Sequence, residues 1–209
     1  MRALLLDLDD TLYDRGAAFR AWADALARVQ LGRVLADVEF AALADMDRRG
    51  HRSRAELALE AYALGLSIDP LAFPSQLAEH IVEEPGVRDT IGALARSRPV
   101  AIVTNGGPVQ RLKLARIGLD RIVEQVFVSS ELGHAKPDRA IFEQALAWTG
   151  EPAEHVLFVG DHPTIDLAPA RELGMATAWR VRPGCEWPED VPPPTYRLTR
   201  IAELAEVCA

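Results

Sequence analysis

The 209-residue chain holds only two cysteines, Cys185 and Cys208. They stand apart and lack any spacing that would hold a metal ion, so two free thiols are expected. Long apolar runs are missing too. The opening MRALLLDLDD turns acidic after three leucines, too short a run for a signal peptide. No stretch approaches the roughly 20 apolar residues of a membrane span. The expectation is a cytoplasmic protein with no membrane partner. Positive charge is also scarce: the formal net charge is −8, which disfavours nucleic acid as a main partner. An anionic substrate would need a metal ion or a local basic patch against that background. What is present is 49% hydrophobic and 26% charged, the balance of a soluble globular chain able to bury a core.

Short apolar runs recur at RALLL (2–6), PVAIVTNGG (99–107), QVFVSSE (125–131), HVLFVGDH (155–162) and ATAWRV (176–181). Between them the spacing predicts helices over 87–96, 109–117, 140–148 and 165–173. Strands alternating with helices call for βαβ units on a parallel sheet, an α/β doubly wound, Rossmann-like fold. The alternation stops between 14 and 84. AAFRAWADALARV, LADVEFAALADMDRR, SRAELALEAYALGL and FPSQLAEHIVEE all carry helical periodicity, with turns at Leu31-Gly32, Gly50, Asp69-Pro70 and Pro85-Gly86. One crossover needs only one helix. A helical domain over 15–84, inserted into a core made of 1–14 and 85–209, is therefore expected. The segment RPGCEWPEDVPPPT, 182–195, reads as an extended surface connector, or alternatively as an interface arm carrying Trp187. The tail TRIAELAEV returns to helical spacing.

In open parallel sheets, ligands bind beyond the carboxyl ends of the strands. The polar residues that close these runs should therefore gather at one edge: Asp7 and Asp9, Thr104 and Asn105, Asp161 and Asp166, with Lys136 in the loop GHAKPD. An ionised Asp7 needs no base to act as a nucleophile and can accept a phosphoryl group. Two anions must then meet, and a hard divalent cation such as Mg²⁺ held by Asp7 and Asp161 would relieve that repulsion. Lys136 adds a point charge for the phosphate. The Thr104 hydroxyl and the backbone N–H groups of Asn105 and Gly106 can bind its other oxygens. Asp9, two residues on, shares the Asp7 side of a continuing strand. It could protonate a departing alkoxide and then take a proton from water. Asp10 reads as a turn residue and Asp14 as a helix N-cap.

Each motif alone is weak, but their order is not. LLLDLDDTL, IVTNG, GHAKPDRAIF and VGDHPTID together resemble the haloacid dehalogenase-like hydrolases, most of which are Mg²⁺-dependent phosphatases. The likeness spans nearly the whole chain, and in such proteins a helical cap lies between the first and second motifs. The resemblance implies Asp7 as nucleophile and Asp9 as general acid/base. It implies a metal held by the Asp7 carboxylate, the Asp9 backbone carbonyl and Asp161, with Asp166 assisting or fixing Lys136. Thr11, which closes the first motif, joins Thr104, Asn105, Gly106 and Lys136 as phosphate-binding residues. Haloacid dehalogenases proper lack the second acid of the first motif, so Asp9 favours the phosphatase branch. The expected reaction is hydrolysis of a small phosphorylated metabolite through an aspartyl-phosphate. A phosphomutase, a dehalogenase or a non-catalytic phosphoester-binding protein stay open as alternatives. RRGHRSR, 48–54, is the one concentrated basic run in the insertion, either a substrate-recognising patch or a solvated corner. Substrate identity and oligomeric state are left open by the sequence.

Overall fold

The computed structural model describes residues 1–50 and 52–209. His51, within the basic run 48–54, lies outside the described residues. Contacts divide the chain into two compact units, Met1–Tyr13 with Glu83–Ala209, and Asp14–Val82.

Strand β1 (Ala3–Leu6) opens the first unit, and all four of its residues are fully buried. Burial on both faces is what a central parallel strand requires, and it explains why the run is continuous rather than alternating. Each leucine contributes about 1.5–3 kcal/mol of hydrophobic stabilisation. The chain then enters the helical unit.

That second unit holds α1 (Arg15–Leu31), α2 (Asp37–Asp47), α3 (Arg54–Ala63) and α4 (Phe73–Glu79). Asp14 caps α1 by accepting the Ala17 N–H at 2.8 Å, and Gly32 ends the helix at φ 70°. Such a left-handed terminus suits glycine. Its core is aromatic, with Trp22 and Phe73 rings 4.7 Å apart and Phe19 beside both. Arg20 pairs with Asp24 and Asp37 and lies over the Phe40 ring. Arg15 and Asp47 form an ion pair that is buried on both sides.

The first unit resumes with α5 (Val87–Ala95), β2 (Val100–Thr104), α6 (Val109–Arg116), β3 (Gln125–Val128), α7 (Ser129–Leu132) and α8 (Arg139–Thr149). It continues through β4 (Val156–Gly160), α9 (Ala168–Glu172), β5 (Ala176–Arg180), β6 (Tyr196–Leu198) and α10 (Leu204–Val207). The six strands are all parallel, in the order β3-β2-β1-β4-β5-β6. This is the doubly wound α/β arrangement. Its direction of winding reverses at β1, between β2 and β4, where such sheets open a ligand crevice. Leu6 is in register with Ile102 on one side and Val159 on the other.

Two elements differ from the sequence expectation. β6 is a three-residue edge strand after the Pro-rich segment, too short to carry a periodic signal. The helix expected over 165–173 is a π-helical turn, Pro163–Leu167, followed by the short α9. The Pro-rich segment folds back on its own unit: Trp187 donates to the Val191 carbonyl and stacks edge-on to Trp179 at 5.1 Å.

Arg182, at the head of that segment, ties the chain crossings together. Its guanidinium donates to the Asp10 carbonyl at 2.5 Å, to the Tyr13 carbonyl at 2.7 Å and to the Glu84 carboxylate. Arg180 holds the same carboxylate at 2.7 Å. Both places where the chain leaves and re-enters the first unit are thus fastened beyond the end of β5.

Candidate active site

Asp7 follows β1 directly, and its N–H donates to the Val159 carbonyl at 2.8 Å, so the strand pairing carries one residue further and fixes its backbone. The side chain is nearly inaccessible. Its Oδ1 accepts from the Lys136 ammonium at 2.5 Å and its Oδ2 from the Thr11 hydroxyl at 2.9 Å. Lys136 also donates to Asp166 Oδ1 at 2.7 Å, and all three groups are buried. Thr11 is thereby placed on the carboxylate itself. Asp161 stands one residue beyond β4, its carbonyl accepting the Trp179 indole N–H at 2.7 Å.

Carboxylate oxygens of Asp7, Asp161 and Asp166 all lie within 4.8 Å of one another. Three acids thus face one ammonium. Burial raises Asp7 to about 7 despite the opposing Lys136 charge, with Asp166 and Asp9 adding to the rise. Burial raises Asp161 to about 9, helped by the charges of Asp166, Asp7 and Asp10. Burial opposes the Lys136 charge, but Asp166 and Asp7 outweigh it and the ammonium is held above its ordinary range. A cluster of hard oxygen donors with surplus negative charge fits a magnesium ion. Asp7, Asp161 and Asp166 are the side chains that would hold it.

The loop after β2 braces the segment that carries Lys136. The Asn105 amide donates to the Lys136 carbonyl and accepts the Lys136 N–H, both at 2.8 Å. This two-bond ring fixes the backbone from which the ammonium projects. The Gly106 N–H, expected for phosphate, is instead given to Ser129 Oγ at 3.0 Å, because α7 packs directly against this loop. Thr104 Oγ1 accepts from the Gln110 amide at 2.6 Å. Its own proton faces the Asn105 carbonyl at 3.5 Å, a long contact that a phosphate oxygen could displace.

β1 ends at Leu6, so strand alternation does not extend to Asp9, whose carboxylate lies outside the three-acid cluster while its charge still raises Asp7. The Asp9 carboxylate accepts instead from Lys113 (2.6 Å, Oδ1), Gln110 (2.7 Å, Oδ2) and the Tyr13 hydroxyl. Asp10 adopts φ 57°, the left-handed turn that redirects the chain.

Gly160 shows why the end of β4 has this sequence. A Cβ there would lie 2.6 Å from both Cβ and Oδ2 of Asp166. The π-helical turn brings Asp166 this close, with its Oδ2 accepting the His162 N–H at 3.1 Å. Gly160→Ala should push Asp166 off Lys136. A displacement of order 1 Å can cost about 10²-fold in rate. Turnover within twofold of wild type in Gly160→Ala would show that this close packing is dispensable.

Asp7, Thr11, Lys136, Asp161 and Asp166 are thus brought together, with Asn105 on the Lys136 backbone, while Gln110 joins Thr104 to Asp9. Sequence reading missed Gln110, Lys113, Tyr13, Ser129 and Gly160. One signal was available for Lys113: the chain has 21 arginines but only two lysines, Lys113 and Lys136.

The chain belongs to the haloacid dehalogenase-like hydrolases, whose family model matches residues 1–174. It is 32% identical to the pyrimidine 5'-nucleotidase YjjG of Escherichia coli over 154 residues, 71% of this chain and 68% of that one. Over 116 residues it is 38% identical to the phosphoserine phosphatase of Thermus thermophilus, 55% of this chain and 45% of the relative, so that match spans under half of the relative's length. Among solved structures, YfnB of Bacillus subtilis, in a magnesium-bound crystal form, superposes with a TM-score of 0.84 at 25% identity. That match covers 99% of this chain and 97% of the other. Among the described residues, no helix is long and apolar enough to cross a membrane.

Proposed function

We propose that this hydrolase is a Mg²⁺-dependent phosphatase of small phosphorylated metabolites, working in the cytoplasm through a phosphorylated Asp7. The observation that carries the reading is a buried carboxylate, Asp7, gripped by Lys136 and Thr11 beside two further acids, with Asp9 retained nearby. The nucleotidase and phosphoserine phosphatase relatives support phosphate monoesters as the substrate class, and the magnesium-bound YfnB supports the metal.

Held by Asp7, Asp161 and Asp166, magnesium would neutralise charge between the nucleophile and the phosphoryl oxygens. The chain's own groups do the rest. Lys136 and the Thr104 hydroxyl orient the phosphoryl group. An Asp7 oxygen attacks phosphorus, and the P–O bond to the leaving group breaks with its electron pair going to the alkoxide. A proton on Asp9 passes to that oxygen. Water then attacks the acyl phosphate, Asp9 takes its proton, and the bond to Asp7 breaks to restore the carboxylate.

The test is phosphate release from a panel of nucleotides, sugar phosphates and small phospho-acids. With Mg²⁺ at least one class should turn over; EDTA should bring it to background and excess Mg²⁺ restore it. Transfer to a sugar rather than water would make the protein a mutase. Tight binding without turnover across the panel would overturn the enzymatic reading.

A further inference from the structure

Two positive charges enter the first-motif segment from different sides. Lys136 is bound to Asp7, and Lys113 is bound to Asp9 at 2.6 Å. Lys113 lies on α6, one helical turn beyond Gln110, so both side chains leave the same face. Both are buried, at 6% and 1% exposure. A buried ammonium is costly without a partner, and Lys113 is paired with the Asp9 carboxylate. Gln110 joins the other Asp9 oxygen to Thr104 through a single amide nitrogen, at 2.7 and 2.6 Å. The Tyr13 hydroxyl bonds the same Asp9 oxygen as Lys113.

Composition sharpens this. Of 23 basic residues only two are lysines, and each sits on an aspartate of LLLDLDDTL. Everywhere else the chain uses the larger guanidinium. A compact ammonium with three donors fits beside a carboxylate that other donors already approach, where a planar fork does not.

We infer that Lys113 and Gln110 are positioning residues for the proposed proton-transfer group: α6 clamps the Asp9 carboxylate and couples it to the phosphate-binding Thr104. The inference rests on the phosphatase reading for its catalytic consequence. A group that must deliver a proton at one step and accept one at the next needs a fixed place through both. Asp9 sits in the loop beyond the end of β1, where its backbone bridges to Tyr13, and α6 adds a constraint on the carboxylate itself.

The consequence can be read as a ratio of two phases. With p-nitrophenyl phosphate the leaving group departs without help from Asp9, so phosphorylation of Asp7 should survive a misplaced Asp9. Hydrolysis of the phosphorylated Asp7 should not. In rapid mixing with Mg²⁺, Lys113→Met should give a burst of nearly one nitrophenolate per enzyme, then a steady state about 10- to 100-fold below wild type. Gln110→Leu should show the same pattern more mildly. A partly unfolded variant would instead lose both phases by one factor, and that outcome, or a wild-type steady state, overturns the inference.

The second arm needs no turnover. In protein labelled with [¹⁵N]lysine, only two side-chain ammonium signals are expected. Asp9→Asn should shift one and Asp166→Asn the other. An unmoved pair of signals in Asp9→Asn rules out the clamp. Absence of any wild-type nitrophenolate release would instead remove the phosphatase reading, leaving the pairing to be judged by the NMR arm.

Discussion

Asp7→Asn should lower kcat by at least about 10⁴-fold on any substrate the enzyme accepts, because the amide cannot form the acyl phosphate. The change is nearly isosteric. Thr11 can still donate to the amide oxygen, and Lys136 keeps Asp166 at 2.7 Å. The fold should therefore survive, and the direction of the stability change is informative. The Asp7 charge helps to push Asp161 up to about 9, so removing it relieves repulsion in the acidic cluster. A melting temperature equal to or above wild type is expected beside the lost activity, the trade-off of a strained functional site. Phosphate release within tenfold of wild type would exclude Asp7 as nucleophile.

Lys136→Met should be the more damaging substitution for the fold. It leaves Asp7 and Asp166 buried without the ammonium that both contact. Removing one partner of a buried ionic group costs on the order of 3–5 kcal/mol. The pH dependence has a definite sign. Asp7 is raised from 3.8 to about 7 by burial even with Lys136 opposing the rise. A carboxyl raised in the folded state holds its proton longer than in the unfolded state, so stability falls as pH climbs from about 4 through the folded value. Without Lys136 that window extends upward. The deficit of Lys136→Met against wild type, measured by denaturant melts, should be large at pH 8 and shrink towards pH 5. A deficit independent of pH would mean that Lys136 acts by packing alone. Catalysis should fall with it, about 10³-fold, since the phosphate loses its fixed cation.

The gathering of Asp7, Lys136, Asp161 and Asp166 was legible because a parallel sheet converts strand ends into neighbours. An apolar run closed by an acid carries its own placement rule, and Leu6 in register with Val159 realises it. The doubly wound class was legible for the same reason. What escaped reading depends on distances between backbones rather than on runs. Gly160 matters only because Asp166 returns to within 2.6 Å of its absent side chain, and no periodicity reports such an approach. The Asp9 partners escaped because the strand rule was applied past the end of β1. Gln110 and Lys113 looked like the polar face of an ordinary helix. β6 escaped because three residues do not display a period.

The fastening by Arg182 bears on how this chain could vary. Tyr13 and Glu84, the residues that bracket the helical unit, share one guanidinium. The two cut points of the insertion are therefore held at a fixed spacing by the first unit alone. Closing a loop on fixed ends becomes harder only with the logarithm of its length. Segments of different sizes could replace residues 14–82 at similar entropic cost, provided that the arginine clasp stays intact. Exchange of a whole cassette can then proceed with the carboxylate machinery left undisturbed.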